Sequence, residues 1–588
     1  MKRISVFILA LAGGICSYAD VVDRNAANTV AEQFLASSVS CVYEEKCVGT
    51  KSTVESSPAF YIFENSSGWV IVAGDDCAVP VLGYGDGHFP YDDMPANMRS
   101  FLEGLGQEIL WAREKKLSAD SGTAAKWKNA ASLRSRTKAG AVIKGPLTAD
   151  ITWTQNSPYN SKAPRDSTTG AACPAGCGAT AFAIIARYHE WPERGVDEIP
   201  AYITLTNKFP MPAIDIDGYE YDWKNMPKSS KAVFTDNQKD SIGTLMLHIG
   251  CGMKMDYESS GSGTSIDRTQ SFAINHFSYK KSCVVLYRDE YSPDEWYSLM
   301  RHEIECDRPV FYAAQGSSGG HAMVLDGFDD NTGMISVNWG WGSGGKGWYV
   351  LNTMQNIKDG WWDRGNTSAL IGLEPDRSGD SQKFGRIQIS YGLTLGNAED
   401  NIKKINKFDV CLNNLSRKDK TDATKAIDLK VMLLDRDSKA VGQVSEDVKH
   451  IEFTSGGSVV NVVDGGTVSC EISGQYVIGD RLSCFYSSTP GVWYPLGSTY
   501  ENVNSTIGAY KLDMIVLPRN LKKGVVFYPQ VLLGGWKTLK KVDWYYDRKA
   551  MDPKYPSVFL ETGEHSIKAK VTYSDDTVRW LYADFTVE

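Results

Sequence analysis

The 588-residue chain exceeds the usual size of one domain, so about two to four domains are expected. Its 42% hydrophobic and 23% charged residues are those of an ordinary globular protein. A net charge of −9 excludes a nucleic-acid partner, which would require a basic face to displace counterions.

Met1 to Ala19 carries Lys2 and Arg3, an apolar run from Ile4 to Ala12, and small residues at Ser17 and Ala19. This is the pattern of an export signal, and it implies a secreted, cell-surface or periplasmic protein. Gly13-Gly14-Ile15 ahead of Cys16 is a poor context for lipidation. No other stretch is long and apolar enough to span a bilayer. Of twelve cysteines, Cys16 leaves with the signal, so an odd number remains and at least one thiol stays unpaired in a monomer.

Residues 20–138 read as a small α+β unit. An amphipathic segment at Val30 to Leu35 precedes two strands, Ala59 to Phe63 and Gly68 to Ala73, joined by the turn-rich Glu64-Asn65-Ser66-Ser67. A helix is expected near Met98 to Lys116. From Ala119 to Lys138 hydrophobic periodicity is lost and Lys126, Lys128, Arg134, Arg136 and Lys138 accumulate, which predicts an exposed, cleavable linker.

The segment 139–376 is organised around Cys173-Pro174-Ala175-Gly176-Cys177-Gly178-Ala179-Thr180-Ala181. Small residues after Cys177 allow a helix to start there, Ala181, Phe182, Ile185 and Ala186 supply an apolar face, and Pro192 stops it. A thiol at a helix N-terminus feels unpaired N–H groups and the positive end of the macrodipole, both of which favour thiolate. Cys177 is therefore a candidate nucleophile; the alternatives are a small buried hydrophobe, or a metal or disulfide shared with Cys173. Further on, apolar and β-branched runs flank Asp329-Asp330-Asn331-Thr332-Gly333, predicting a hairpin that returns His321 and Asn338 to within a few residues of each other. Cys177, His321 and Asn338 then make a plausible set of nucleophile, base and orienting carbonyl.

Gln155 with Pro158-Tyr159-Asn160, Gly176-Cys177, Gly320-His321-Ala322 with Asp326-Gly327, and Val337-Asn338-Trp339-Gly340-Trp341-Gly342 together resemble the streptopain family of secreted bacterial cysteine peptidases. The stretch 20–138, with Gly74-Asp75-Asp76 and Pro80 to Tyr84, is similar to that family's inhibitory pro-domain. The gap from Cys177 to His321 lies inside the roughly 130–150 residues of papain-type enzymes. The resemblance implies a papain-like α+β catalytic domain, synthesis as a zymogen silenced by its own pro-domain, and endopeptidase action on protein or peptide substrates, with a hydrophobic residue favoured two positions before the cut. It assigns Cys177 as nucleophile, His321 as base and Gln155 as oxyanion donor. Trp339 would shield or share the His–Asn hydrogen bond, and Ser262 and Gly320 would line the substrate cleft. Gly178 departs from the family, which often carries valine there.

Other motifs carry less. Gly316-Ser317-Ser318-Gly319-Gly320 fits a serine-hydrolase elbow, but a strand rather than a helix follows. His189, His248, His276 and His302 lack HExxH-type pairing, so no metal and no cofactor are expected. From about 377 the texture changes to short alternating strands, which predicts two all-β, Ig-like sandwich modules, 377–508 and 509–588, folding independently and offering a surface to an extracellular target. The alternative reading is an extracellular binding or adhesion protein whose peptidase-like domain is inactive.

Overall fold

The computed structural model describes residues 20–45, 57–129, 142–352 and 367–377 with short breaks, and 387–587 with wider ones. The export signal, the Arg134 to Lys138 stretch, Ser317, Ser318, Trp361, Trp362 and the junctions following 377 and 508 lie outside the described residues.

In the N-terminal unit, α1 (Arg24–Leu35) is capped by Asp23, whose carboxylate accepts the Ala26 N–H at 2.8 Å, and it buries Ala27, Val30, Ala31, Phe34 and Leu35. The strands Phe60–Asn65 and Gly68–Ala73 pair through a tight turn. The following strand, Val81–Asp86, is succeeded by α2 (Ala96–Lys115). Arg113 of α2 reaches the fully buried Asp75 at 2.8 Å and also donates to the carbonyls of Ser57, Pro58 and Gly74. The Gly74-Asp75-Asp76 tract thus bolts α2 to the sheet. The expected linker begins later than predicted: α3 (Ser121–Lys128) is helical and anchored by the Trp127 indole, which donates to the Ala78 carbonyl at 2.8 Å. Loss of long-range periodicity hid a short helix with an aromatic anchor at Trp127.

In the segment 139–376, α4 (Cys177–His189) is buried from Gly178 to Arg187, more than one apolar face. Around it pack α5 (Asp236–Gly252), which opens on a Thr235–Gln238 capping box, and α6 (Ile266–Asn275). Strands Gly319–Asp329 and Met334–Asn338 form the hairpin, with Asp329 opposite Met334. They sit in one eleven-stranded antiparallel sheet that crosses the boundary between units. Its order runs from Ser40–Glu45 and the three N-terminal strands above, through Gly347–Tyr349, Met334–Asn338, Gly319–Asp329 and Val310–Gly316, to Thr367–Ile371 and Val284–Tyr287, with the short strand Ile143–Lys144 pairing beside Gly319–Asp329. The crossing is made by Gly83 and Tyr84 against Tyr349 and Trp348. Gly83 and Gly85 are required there, since a Cβ would stand 2.8 Å from the Tyr349 ring or 2.5 Å from the Trp69 ring.

Among its described residues the C-terminal part forms strands and turns without helices, and its first module is not a separate body. Its core residues, such as Ile387, Leu429 and Leu482, join the buried set that includes Trp296, Leu299 and Ile304 of α7 (Pro293–Glu305). A Cβ on Gly479 would lie 3.0 Å from Leu299. The cores divide within the strand Met514–Val516, where Met514 faces the first and Ile515 the second, because neighbouring strand residues point to opposite sides. Among the described residues no helix is long and apolar enough to cross a membrane.

Candidate active site

Cys177 is the first residue of α4, and the turn before it is tightly determined. Gly176 has φ 94°, and a Cβ there would meet the Met255 sulfur at 2.8 Å and the Ser262 carbonyl at 2.9 Å. The Ser262 hydroxyl donates to the Pro174 carbonyl at 2.7 Å, Asn160 donates to the Cys173 carbonyl at 3.1 Å, and the Ala175 N–H donates to the Gln155 carbonyl at 2.9 Å. Cys173 and Cys177 are both free thiols, as are all the described cysteines. Burial raises the Cys177 thiol above its ordinary value, while backbone N–H groups of Ala322, Gly178 and Cys177 directed at the sulfur pull the other way.

Burial also lowers the His321 imidazole, and its buried Nε2 has no hydrogen-bond partner. Alternation along the strand groups His321 with Met323 and Leu325, whereas Ala322 and Val324 face the core around α4. No hydrogen bond joins the thiol to the imidazole in this form. Both groups are therefore held neutral: the thiol up, the imidazole down.

Asn338 does not orient His321 in this structure, contrary to expectation. It pairs with Val324, three residues on from His321, and so lies on the opposite strand face. Its amide donates to the Thr148 hydroxyl at 2.9 Å and the Ile151 carbonyl at 3.0 Å, and its Oδ1 accepts the Gly340 N–H at 3.2 Å. Trp339, next along, falls on the His321 side, is 1% exposed, and donates from its indole to the Gly345 carbonyl at 3.0 Å. Gly340 has φ 72° and backs onto Thr180 of α4, bringing this turn against the helix that carries Cys177.

Gln155 and Ser262 are buried at 7% and 6% exposure, Ser262 as the staple of the turn before Cys177. Gly320 is exposed, opposite Gln315. Gly178 is explained sterically: a Cβ would sit 2.9 Å from the Thr264 methyl. Sequence reasoning missed the support beneath the hairpin. Asp326 accepts the Thr148 N–H at 3.0 Å and hydroxyl at 2.5 Å, and burial raises its carboxyl. Lys346 donates to the carbonyls of Thr148, Ala149 and Ile151, and burial brings its pKa down to about 8. The run 148–151 between them carries no motif that would have signalled it. The N-terminal unit also touches the site: Phe101 of α2 stands edge-on to Trp339 with ring centroids 5.5 Å apart, and Met98 occupies the space a Cβ on Gly345 would need.

A thiol at a helix mouth, a histidine strand beside it and an N-terminal unit packed on the flanking tryptophan define a cysteine peptidase domain preceded by an inhibitory unit. Residues 153–349 match the Peptidase C10 family, and residues 19–109 match the Spi protease inhibitor. The chain thus carries a Peptidase C10 domain with a Spi protease inhibitor unit ahead of it in cis. It is 30% identical over 336 residues to the thiol protease/hemagglutinin PrtT of Porphyromonas gingivalis, covering 55% of this chain and 38% of that relative. It is 29% identical over 335 residues to streptopain of Streptococcus pyogenes, covering 54% of this chain and 80% of streptopain. A prointerpain A fragment from Prevotella intermedia aligns with a TM-score of 0.46 at 21% identity, over 57% of this chain and 99% of the fragment.

Proposed function

We propose that the chain is the zymogen of a secreted cysteine endopeptidase in which Cys177 is the nucleophile, His321 the general base and acid, and Gln155 an oxyanion donor. The observation that carries this reading is the Cys177 thiol at the start of α4 with the N–H of Ala322, the residue next to His321, directed at its sulfur. In the active form the imidazole turns to the thiol and takes its proton, and the thiolate attacks the peptide carbonyl. The Gln155 amide and the Cys177 N–H hold the oxyanion, a donor of this kind being worth on the order of 10²–10³ in rate. His321 then protonates the leaving amine, and water, giving its proton to His321, releases the acyl group. Trp339 walls the imidazole, and Asn338 holds the turn that carries Trp339. The Ser262 loop and the Gly320 backbone line the cleft, which favours a hydrophobic residue two positions before the cut.

Latency in this reading comes from α2 and the shared sheet. With Phe101 against Trp339 and the sheet continuous through Tyr84 and Trp348, the N-terminal unit keeps the His321 side of the strand packed away from the thiol. A cut around Arg134 to Ala139 would release the unit from its tether and lower its effective concentration. The β modules would present the enzyme to an extracellular target. Casein hydrolysis by wild type and Cys177→Ala, with and without a thiol-directed epoxide, tests the chemistry. Loss of activity in the variant and under the epoxide is expected; activity that survives the epoxide and yields to serine reagents would sink it.

A further inference from the structure

The junction between the catalytic domain and the first β module holds a side-chain group that peptide hydrolysis does not use. His302 lies in the last turn of α7 and Cys306 one helical turn on, with the Cys306 N–H donating to the His302 carbonyl at 3.1 Å. Across the junction, a turn of the module presents Asp437. Asp435 accepts the N–H groups of Asp437 at 2.9 Å and Lys439 at 2.8 Å, and the Ser438 hydroxyl donates to the Ser282 carbonyl at 3.2 Å. The turn is thus locked internally and pinned to the catalytic domain. Asp437 Oδ1 stands 3.0 Å from His302 Nε2, and Cys306 Sγ stands 3.8 Å from that same nitrogen. The three donor atoms all fall within 4.8 Å of one another.

This arrangement is not a second thiol–imidazole–carboxylate relay. A relay needs the carboxylate on one ring nitrogen and the thiol on the other, whereas here both face Nε2. Imidazole, thiol and carboxylate converging on one point are instead the donor set of a borderline-soft transition metal. Metal–nitrogen and metal–oxygen bonds of about 2.0–2.1 Å and a metal–sulfur bond of about 2.3 Å at tetrahedral angles place nitrogen roughly 3.5 Å from sulfur and 3.3 Å from oxygen. The separations of 3.8 and 3.0 Å are close to these. Arg308 also donates to Asp437 Oδ1 at 2.9 Å, but its guanidinium is already in a two-point pair with buried Glu303, at 2.9 Å on each arm. The charges of Asp437 and of a Cys306 thiolate are therefore left to balance a dication, and Arg308 is placed to orient the ligating carboxylate from outside.

We propose that His302, Cys306 and Asp437 form a zinc site with its fourth position open to solvent, clamping the first β module to α7. Zinc takes the Nε2 lone pair of the neutral imidazole, whose proton sits on Nδ1, and the Cys306 thiol gives its proton to solvent; no oxidation or reduction is involved. The His302-to-Cys306 spacing alone is no metal motif, because the third ligand comes from a different module.

The test uses the full-length chain with Cys177→Ala, so that neither autolysis nor the nucleophile interferes. Zinc competed against a chromophoric chelator should bind at one ion per chain. Cys306→Ser, at an exposed position, and Asp437→Asn, which keeps the shape, should each weaken it by at least the roughly 10–100-fold that loss of even an outer partner costs. Cobalt should give a thiolate-to-metal charge-transfer band that disappears in Cys306→Ser, and zinc should raise the melting temperature of the parent but not of Cys306→Ser. Absence of stoichiometric binding, or binding and a cobalt band unchanged in Cys306→Ser, would overturn the proposal.

Discussion

Phe101 of the inhibitory unit stands edge-on to Trp339 of the catalytic domain, at 67° with ring centroids 5.5 Å apart, and both rings meet Tyr349 edge-on as well. The three rings close a cluster that exists only while the unit is docked. Each edge-to-face pair contributes about 0.5–1.5 kcal/mol beyond its buried area. Phe101→Ala removes two of them, so docking should weaken by roughly 1–3 kcal/mol, about 5- to 150-fold. The variant should mature faster than wild type under the same trace of active enzyme. Unchanged maturation kinetics would mean that this contact does not govern latency.

The thiol's surroundings give a pH signature. In the intact chain burial raises Cys177 and lowers His321, so both are neutral near pH 7 and the thiolate fraction grows only as pH climbs through and above the ordinary thiol value. Alkylation of Cys177 in the intact chain should therefore be slow at neutral pH and rise about tenfold per pH unit. In the proposed mechanism, removal of the N-terminal unit lets the ion pair form, so alkylation should stay fast into mildly acidic solution. Identical pH–rate profiles before and after processing would contradict this account.

Asn338 and Trp339 should separate experimentally. Asn338 satisfies Thr148, Ile151 and Gly340, so Asn338→Ala leaves buried groups unpaired at about 1–3 kcal/mol. It should lower thermal stability without moving the histidine limb of the kcat/KM profile. Trp339→Phe, on the His321 side, should move that limb. A shifted limb in Asn338→Ala alone would return the orienting role to the asparagine.

Gly178→Val should crowd the Thr264 methyl, which lies 2.9 Å from the added Cβ, at a cost of about 1–3 kcal/mol typical of overpacking. Thr264→Ser removes that methyl and should restore most of the loss. The measurement is a double-mutant cycle on melting temperature and peptide hydrolysis. Additive effects would show that the strain lies elsewhere.

Truncation at 376 now carries a different expectation from that of a free appendage. It uncovers Leu299 and strips Arg308 of Asp437, so the shortened chain should melt lower than the full-length one. Cleavage of a small peptide should persist, since Cys177, His321 and Gln155 all precede the cut. A folded truncation without peptide cleavage would show that the module completes the cleft.

Local chemistry determined much of this protein from sequence alone. Gly176-Cys177 before a run of small residues announces a helix mouth with a thiol on it, and the turn at Asp329 to Gly333 announces the hairpin that brings Asn338 near His321. These signals are legible because each depends on neighbours a few residues away. Tertiary structure decided what depends on distant partners. Which strand face Asn338 occupies follows from its pairing with Val324, and a shift of one residue would have reversed it. The joining of Tyr84 to Trp348 and the docking of Asp437 onto α7 are contacts between surfaces far apart in the chain. No periodicity records them, because backbone pairing along a sheet edge and ion pairing across a junction depend on shape and charge brought together from segments far apart in the chain.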